Sequence, residues 1–540
     1  MQRGLALLVG LLGLAALAWR FDWVNDDAYI TFTYARSLAQ GHGFVHHAAG
    51  PAVEGFSELL FTLWIALGLS LGFTPEVFAK ASTLLASGFL VYGVLRELDH
   101  ALPEGGARAP LRLGAAIALG TCAPLAVWST SGMGVAPFLL AWFATFVLST
   151  RAPRGWPWLA LTASCVVALR ADGAWWVAWL LGPPLLIAWR RGERARAGAL
   201  LRGALVSLST FVAITGWRWA TFGDWLPNTA RAKLGFGARA LERGADYVAH
   251  FALTFPGAAA LALLALFAAA RRRDRQACGA LAGVVATVAH AALVGGDFMA
   301  FGRFLAPALP FLVFGGGLGL AALAAPAGAS APGDAVCGDT ARGDATRGGR
   351  TRAYAIAVGG GALVAALWLP PAFGVELTPT AWREACRFRF NPGNFGQPTP
   401  FVSELQQWRN MCTRADEWGQ TGRDLARLSP PDATVVAGAV GALGWFSERR
   451  ILDRHGLLSR EVARLPKVAE QRSPGHDTFV SAEFFAGERP TYYDVGLWPR
   501  ALLARHPYAG RIVVLGPSAR DGFVLWVLPG PGFEAIHPAD

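Results

Sequence analysis

The chain has 540 residues, of which 54% are hydrophobic and only 16% charged, with 21 tryptophans and a formal net charge of +11. That composition excludes a soluble protein of this length and marks a polytopic membrane protein. The positive charge does not point to nucleic acid, because the arginines fall in short loops between apolar runs, where they report topology.

In chain order, the first apolar run is Leu5 to Trp19. It reads as a retained span, or alternatively as a signal peptide cleaved near Ala16-Leu17-Ala18. Directly after it comes Asn25-Asp26-Asp27-Ala28-Tyr29-Ile30. Carboxylates this close to a bilayer are costly, which makes the pair a functional candidate; the bland alternative is that Asp26 or Asp27 caps the next helix. The apolar stretch Phe56 to Gly72 is read as a juxtamembrane or re-entrant helix on the outer face, since as a span it would place the basic loop Arg96 to Arg112 on the wrong side. Membrane helices are expected at roughly 4–19, 74–95, 113–129, 132–149, 156–169, 174–189, 202–219, 256–270, 278–294, 304–324 and 353–372, about eleven in all. The loops bearing Arg151, Arg190, Arg271 and Arg347 then face the cytoplasm, with the N-terminus inside and the C-terminus outside. Pro326 to Arg352, rich in Gly, Ala and Asp, is expected to be a flexible cytoplasmic loop.

Beyond Phe373 the membrane-length runs stop. Segments such as Ala433–Ala437, Arg511–Leu515 and Gly522–Val527 read as strands, with helices near 400–409 and 458–470. The expected architecture is therefore a polytopic α-helical membrane domain, 1–372, whose first outer loop is 20–73, followed by a mixed α/β periplasmic domain, 373–540.

With this topology the outer loops collect the unusual polar clusters: Asp26 to Arg36, Val53-Glu54-Gly55-Phe56, Arg170-Ala171-Asp172-Gly173, Phe222 to Lys233, and Gly295-Gly296-Asp297-Phe298-Met299 with Arg303. His42, His46 and His47 lack the spacing of a rigid metal site.

Asp26-Asp27-Ala28-Tyr29-Ile30, Tyr34-Ala35-Arg36, Gly41-His42-Gly43-Phe44-Val45, Val53-Glu54-Gly55-Phe56, Phe222-Gly223-Asp224-Trp225-Leu226-Pro227-Asn228-Thr229, Gly302-Arg303-Phe304 and Arg450-Ile451-Leu452-Asp453-Arg454-His455-Gly456-Leu457 stand in this order along the chain. Their succession resembles the C-type (GT-C) integral-membrane glycosyltransferases, and within them the arabinofuranosyltransferase-like branch, similar to mycobacterial terminal β-(1→2)-arabinofuranosyltransferases. The resemblance covers residues 25 to about 500. It implies transfer of a sugar, arabinofuranose in that branch, from a polyprenyl-phosphate donor to a cell-envelope glycan or lipid acceptor, in a multi-pass bacterial inner-membrane enzyme. It carries Asp26 and Asp27 over as the catalytic acids. It also makes Tyr29, Arg36, Glu54, Arg170, Asp172, Asn228, Lys233, Asp297 and Arg303 candidate substrate-binding residues.

The chemistry agrees: a carboxylate can take the acceptor's hydroxyl proton, and Arg170, Lys233 and Arg303 can stabilise the phosphate leaving group. Each supporting residue also has a plainer reading. Glu54 could cap the helix near Phe56, Arg170 could simply pair with Asp172, Asp224 and Asn228 could form the turn at Pro227, and Lys233 could be an interfacial anchor.

No resident cofactor is expected, and a divalent-metal requirement is left open. Two departures from the family pattern stand out. Ser131-Gly132-Met133-Gly134-Val135 lacks the acid that relatives carry at the fourth position, and Arg170-Ala171-Asp172-Gly173 has Asp where Glu is usual. Of the six cysteines, Cys122, Cys165 and Cys278 fall in spans and Cys337 in the cytoplasmic loop, leaving Cys386 and Cys412 as candidates for a disulfide in an oxidising compartment. The rival readings are a lipid-sugar flippase or transporter, and a non-catalytic glycan-binding relative.

Overall fold

A computed structural model describes residues 2–102, 108–233, 237–324, 343–379, 381–382, 401–466, 478–499, 512–515 and 521–527. Helices run in the order α1 (Gln2–Arg20), α2 (Asp26–Ala39), α3 (Leu59–Ser70), α4 (Pro75–Ala101), α5 (Arg108–Gly120), α6 (Ala123–Thr130), α7 (Val135–Arg151) and α8 (Trp156–Leu169). They continue with α9 (Gly173–Arg190), α10 (Arg194–Phe222), α11 (Asn228–Lys233), α12 (Ala238–Thr254), α13 (Pro256–Arg272), α14 (Arg275–Leu293), a 3₁₀ turn (Arg303–Ala308) leading into α15 (Leu309–Ala324), and α16 (Gly343–Trp368).

Every one of the eleven apolar runs is helical. By length and composition, five stretches are able to cross a bilayer: Arg3–Arg20, Pro75–Ala101, Arg194–Phe222, Arg275–Leu293 and Arg303–Ala324. Two bent pairs raise this to seven, α5 with α6 at 52° and α12 with α13 at 100°. The first bend falls where Pro124 opens α6, since proline cannot donate the helical hydrogen bond. α3, α7, α8 and the segment Tyr354–Trp368 are shorter apolar helices.

The arginine loops gather at one end of the bundle. There Arg3 and Arg112 meet Asp99, Arg151 and Gln276 meet Glu97, and Arg275 meets Glu193. These elements are far apart in sequence, so the charge pattern and the packing agree on which loops share a side. α1 is packed into the bundle rather than set apart from it: a Cβ at Gly13 would lie 2.9 Å from the Gly120 carbonyl of α5. Small residues allow such close backbone crossings in membrane helices.

The second region is a five-stranded sheet in the order β2-β1-β3-β5-β4. Its strands are β1 (Thr434–Ala437), β2 (Arg450–Asp453), β3 (Tyr492–Pro499), β4 (Ile512–Leu515) and β5 (Asp521–Val527). β1 runs parallel to β2 and β3, while β5 is antiparallel to β3 and β4. α17 (Glu404–Leu428) and α18 (Ala442–Ser447) pack on each other, and α19 (Arg460–Ala463) follows β2.

Four expectations change. Residues 343–352 belong to α16, so the segment expected as loop to Arg352 ends in helix. α12 was not foreseen; it is amphipathic, burying Ala240, Tyr247 and Phe251 on one face, and lacks the continuous apolar run of a span. The helix expected at 400–409 extends to Leu428, and of the one expected at 458–470 the described residues, which end at 466, form the single turn α19. The cap of α2 is Asn25, not either aspartate.

Candidate active site

α2 begins immediately beyond α1, at the end of the bundle opposite the arginine loops, with both aspartates in its first turn. Negative charge is favoured there by the helix dipole. Asn25 fixes the entry: its N–H donates to the Ser131 carbonyl at 2.9 Å, and its amide donates to the Met133 and Met299 sulfurs at 3.1 and 3.3 Å. The loops after α1, α6 and α14 are thereby tied together.

The two aspartates then part. Asp27 lies 3.8 Å from a guanidinium nitrogen of Arg303, whose Nε donates to Asp297 at 2.7 Å. The positive φ of Gly295 and Gly296 folds the chain back so that Asp297 reaches Arg303. Arg303 also lies over the rings of Phe304 and Trp128, at 4.9 and 5.9 Å. Arg170 also lies against Phe304, 5.7 Å from its ring. Arg170 grips Asp172 with two parallel hydrogen bonds of 2.7 and 2.9 Å, and Asp172 also bonds His290 of α14. Burial alone would raise the Asp172 carboxyl, but Arg170 and His290 outweigh it and hold the acid well below the usual carboxylate range. The cluster thus contains two arginines against one aromatic ring, a locked carboxylate at Asp172, and Asp27 facing Arg303.

Asp26 points elsewhere. Its carboxylate accepts the Ala442 N–H at 2.7 Å, joining the first loop to the start of α18 in the second region. Loss of hydration pushes its pKa up to about 7, with the Ala442 N–H opposing and Asp27 adding to the shift.

Other candidates are also taken up by this junction rather than by the cluster. Tyr29 packs against Phe446 and Trp445, with centroids 5.2 and 6.4 Å apart. Arg36 pairs with Glu448 at 2.8 Å and covers Trp445 at 4.2 Å. Asn228 donates to the carbonyls of Gly456 and Leu457 at 2.5 and 2.9 Å, clasping the turn after β2. Glu54 neither caps α3 nor joins the cluster: it is buried against Arg218 of α10, the only described cation bonded to it. Lys233 ends α11, and its side chain lies outside the described residues. So does Cys386; Cys412 is a half-buried free thiol on α17. No group of three or more His, Cys, Asp or Glu placed to hold a metal occurs among the described residues.

Three residues of the site were not anticipated. His290 sits within an apolar span, where any ionisable group signals function, and that rule alone could have found it. Glu404, the first residue of α17, bonds His250 at 2.7 Å and the Phe301 N–H beside Arg303. The third is Glu58, which caps the start of α3 and accepts the Gly134 N–H at 2.8 Å. A Cβ at Gly134 would stand 2.9 Å from that carboxylate oxygen. A carboxylate therefore stands beside position 134, supplied by Glu58.

Among solved structures, the chain superposes on ArnT from Cupriavidus metallidurans bound to undecaprenyl phosphate, with a TM-score of 0.54 over 97% of this chain and 96% of that one, at 13% identity. The apo structure of the same protein gives 0.52 over 97% and 98%, at 14% identity. The two proteins share a fold. The polytopic helical architecture with a C-terminal sheet expected from the sequence is thus shared with a solved protein over 97% of the chain. Both of these structures are of ArnT, so the arabinofuranosyltransferase-like branch rests on the sequence motifs. Residues 403–516 match a family described as a domain of unknown function (DUF8728). No curated protein matches the chain in sequence.

Proposed function

We propose that this protein is a GT-C glycosyltransferase that moves a sugar from a polyprenyl phosphate to a hydroxyl of a cell-envelope acceptor, at the outer face of the bacterial inner membrane. The observation that carries the reading is the Asp27–Arg303 pairing beside Arg170, at the end of the bundle opposite the basic loops. It sets a proton acceptor next to one cation, Arg303, with a second, Arg170, against the same Phe304 ring. The fold is that of ArnT, which has been crystallised with undecaprenyl phosphate.

In the proposed step the acceptor oxygen attacks the anomeric carbon and gives its proton to Asp27. The bond from that carbon to the donor phosphate breaks, and the polyprenyl phosphate leaves against Arg303 and Arg170. Asp172 stays ionised to hold Arg170, so it is not the base. Asp26 is turned to Ala442 in the second region, whereas Asp27 faces Arg303, where the leaving phosphate is placed, and we therefore take Asp27 as the base of the pair. The order of the sequence motifs makes arabinofuranose the first donor sugar to test.

The test is release of polyprenyl phosphate from labelled polyprenyl-phosphate sugars in reconstituted membranes. Asp27→Asn should lose on the order of 10²- to 10⁴-fold in transfer rate while still binding donor. Arg303→Met should weaken donor binding and turnover together. Full transfer by Asp27→Asn, or lipid flux without transfer, would refute the assignment in favour of a transporter.

A further inference from the structure

Arg303 stands at the end of a loop whose backbone is held by side chains from two other elements. Phe301, two residues before it, has a φ of 55°, a left-handed conformation that a bulky side chain adopts only against steric resistance. Gly302 follows at 61°, where no Cβ opposes it. A bulky residue persists in such a conformation only where its surroundings over-determine it, and such residues gather at active sites and ligand clamps.

The surroundings of Phe301 are specific. Three residues on one face of α17, spaced i, i+3 and i+7, grip three backbone groups of the loop. Glu404 accepts the Phe301 N–H, Gln407 donates to the Phe298 carbonyl at 3.2 Å, and the Met411 sulfur accepts the Ala300 N–H at 3.4 Å. Glu404 is in turn bonded to His250 of α12 at 2.7 Å, and both are buried. α12 also reaches past the arginine, where the Tyr247 hydroxyl accepts the Phe304 N–H at 3.1 Å. The backbone is thus held on both sides of Arg303, whose guanidinium closes on Asp297 and lies 3.8 Å from Asp27.

We propose that Glu404 is a positioning residue for Arg303: by holding the Phe301 N–H it keeps the loop in the left-handed form that presents the guanidinium to the donor phosphate. The inference rests on the polyprenyl-phosphate reading above and extends the donor site to α17, which itself touches no substrate. Without the clamp, Phe301 relaxes toward negative φ, and the chain beyond it carries Arg303 away from Asp27.

The experiment is a double-mutant cycle on the binding of undecaprenyl phosphate to the purified full-length protein, with Glu404→Ala, Arg303→Met and the two combined. Glu404→Ala should bind the lipid on the order of 10- to 100-fold more weakly than wild type, the cost of misplacing a binding group. In the Arg303→Met background the same change should cost less than about twofold, because the clamp has no guanidinium left to position. Glu404→Gln, which keeps an oxygen for the Phe301 N–H, should recover most of the affinity. Losses that multiply in the double variant, or wild-type affinity in Glu404→Ala, would overturn the inference. Should Glu404→Ala not fold, Gln407→Leu takes its place in the cycle; it deletes the bond to Phe298 while keeping buried volume, with an expected loss of about 2- to 10-fold, the scale of one neutral hydrogen bond. A second readout needs no lipid. Hydrogen exchange of the amides from Phe298 to Phe304 should quicken in Glu404→Ala and stay slow in Glu404→Gln, and unchanged exchange in the alanine variant would overturn the clamp by itself. If exchange responds as expected while wild type fails to bind the lipid, it is the polyprenyl-phosphate reading that falls.

Discussion

Asp26 and Asp27 are adjacent in sequence and differ in what surrounds them, which separates their roles. Asp26 titrates near 7 in the folded protein against 3.8 when free, so the folded state holds its proton more tightly. The stability this group contributes is complete below its unfolded pKa and is lost as pH rises through the folded value. Asp26→Asn removes the ionisation while keeping an oxygen for the Ala442 N–H. Its melting temperature should therefore gain on wild type as pH rises from about 4 to about 7, and the difference should level off above that. A constant difference across that range would show that Asp26 does not titrate with folding. At this scale the sequence was partly legible. Asp27, Arg170, Asp172, Asp297 and Arg303 were visible because charge in a loop of an apolar chain is conspicuous. Glu58 and His290 were masked by the apolar runs around them. Glu54, Tyr29, Arg36 and Asn228 read as site residues because their motifs are polar and ordered, and in the fold they contact other parts of the chain rather than the Asp27 cluster.

The helices were legible for a simple reason. Each membrane run carries its own apolar content, so hydropathy alone locates it, whereas the bend at Pro124, the amphipathic α12 and the strands β2 and β3, each paired with β1, depend on distant partners. Where helices cross closely, the glycines decide. At Gly120 a side chain would begin 2.9 Å from the Gly10 carbonyl and 3.4 Å from the Gly13 Cα, all of them backbone atoms that cannot swing away. Gly120→Leu should force α1 from α5 and cost about 1–3 kcal/mol, the scale of overpacking. Gly93 of α4 meets nothing within 4 Å, so Gly93→Leu should leave the melting temperature in detergent unchanged. Equal melting temperatures for the two variants would mean that this crossing is not tight.

Over the whole molecule, polarity is divided between two ends, arginine loops at one and the Asp27 cluster with the sheet region at the other. Reporter fusions after Arg194 and Arg273 should accordingly read cytoplasmic, and a fusion after Pro430 should read outside. A cytoplasmic signal at Pro430 would detach the sheet region from the first loop. The hydrogen bond from Ala442 to Asp26 spans 416 residues of sequence. Ribosomes add roughly 5–20 residues per second, so the face of α2 that carries Tyr29 is made on the order of half a minute before the surface that covers it. Throughout that interval the newborn protein holds an uncovered aromatic face at the membrane edge. Only the late arrival of α18 closes it, so a chain cut short before Gly441 would leave α2 without its cover, and its fate would pass to the quality-control proteases that remove incomplete membrane proteins.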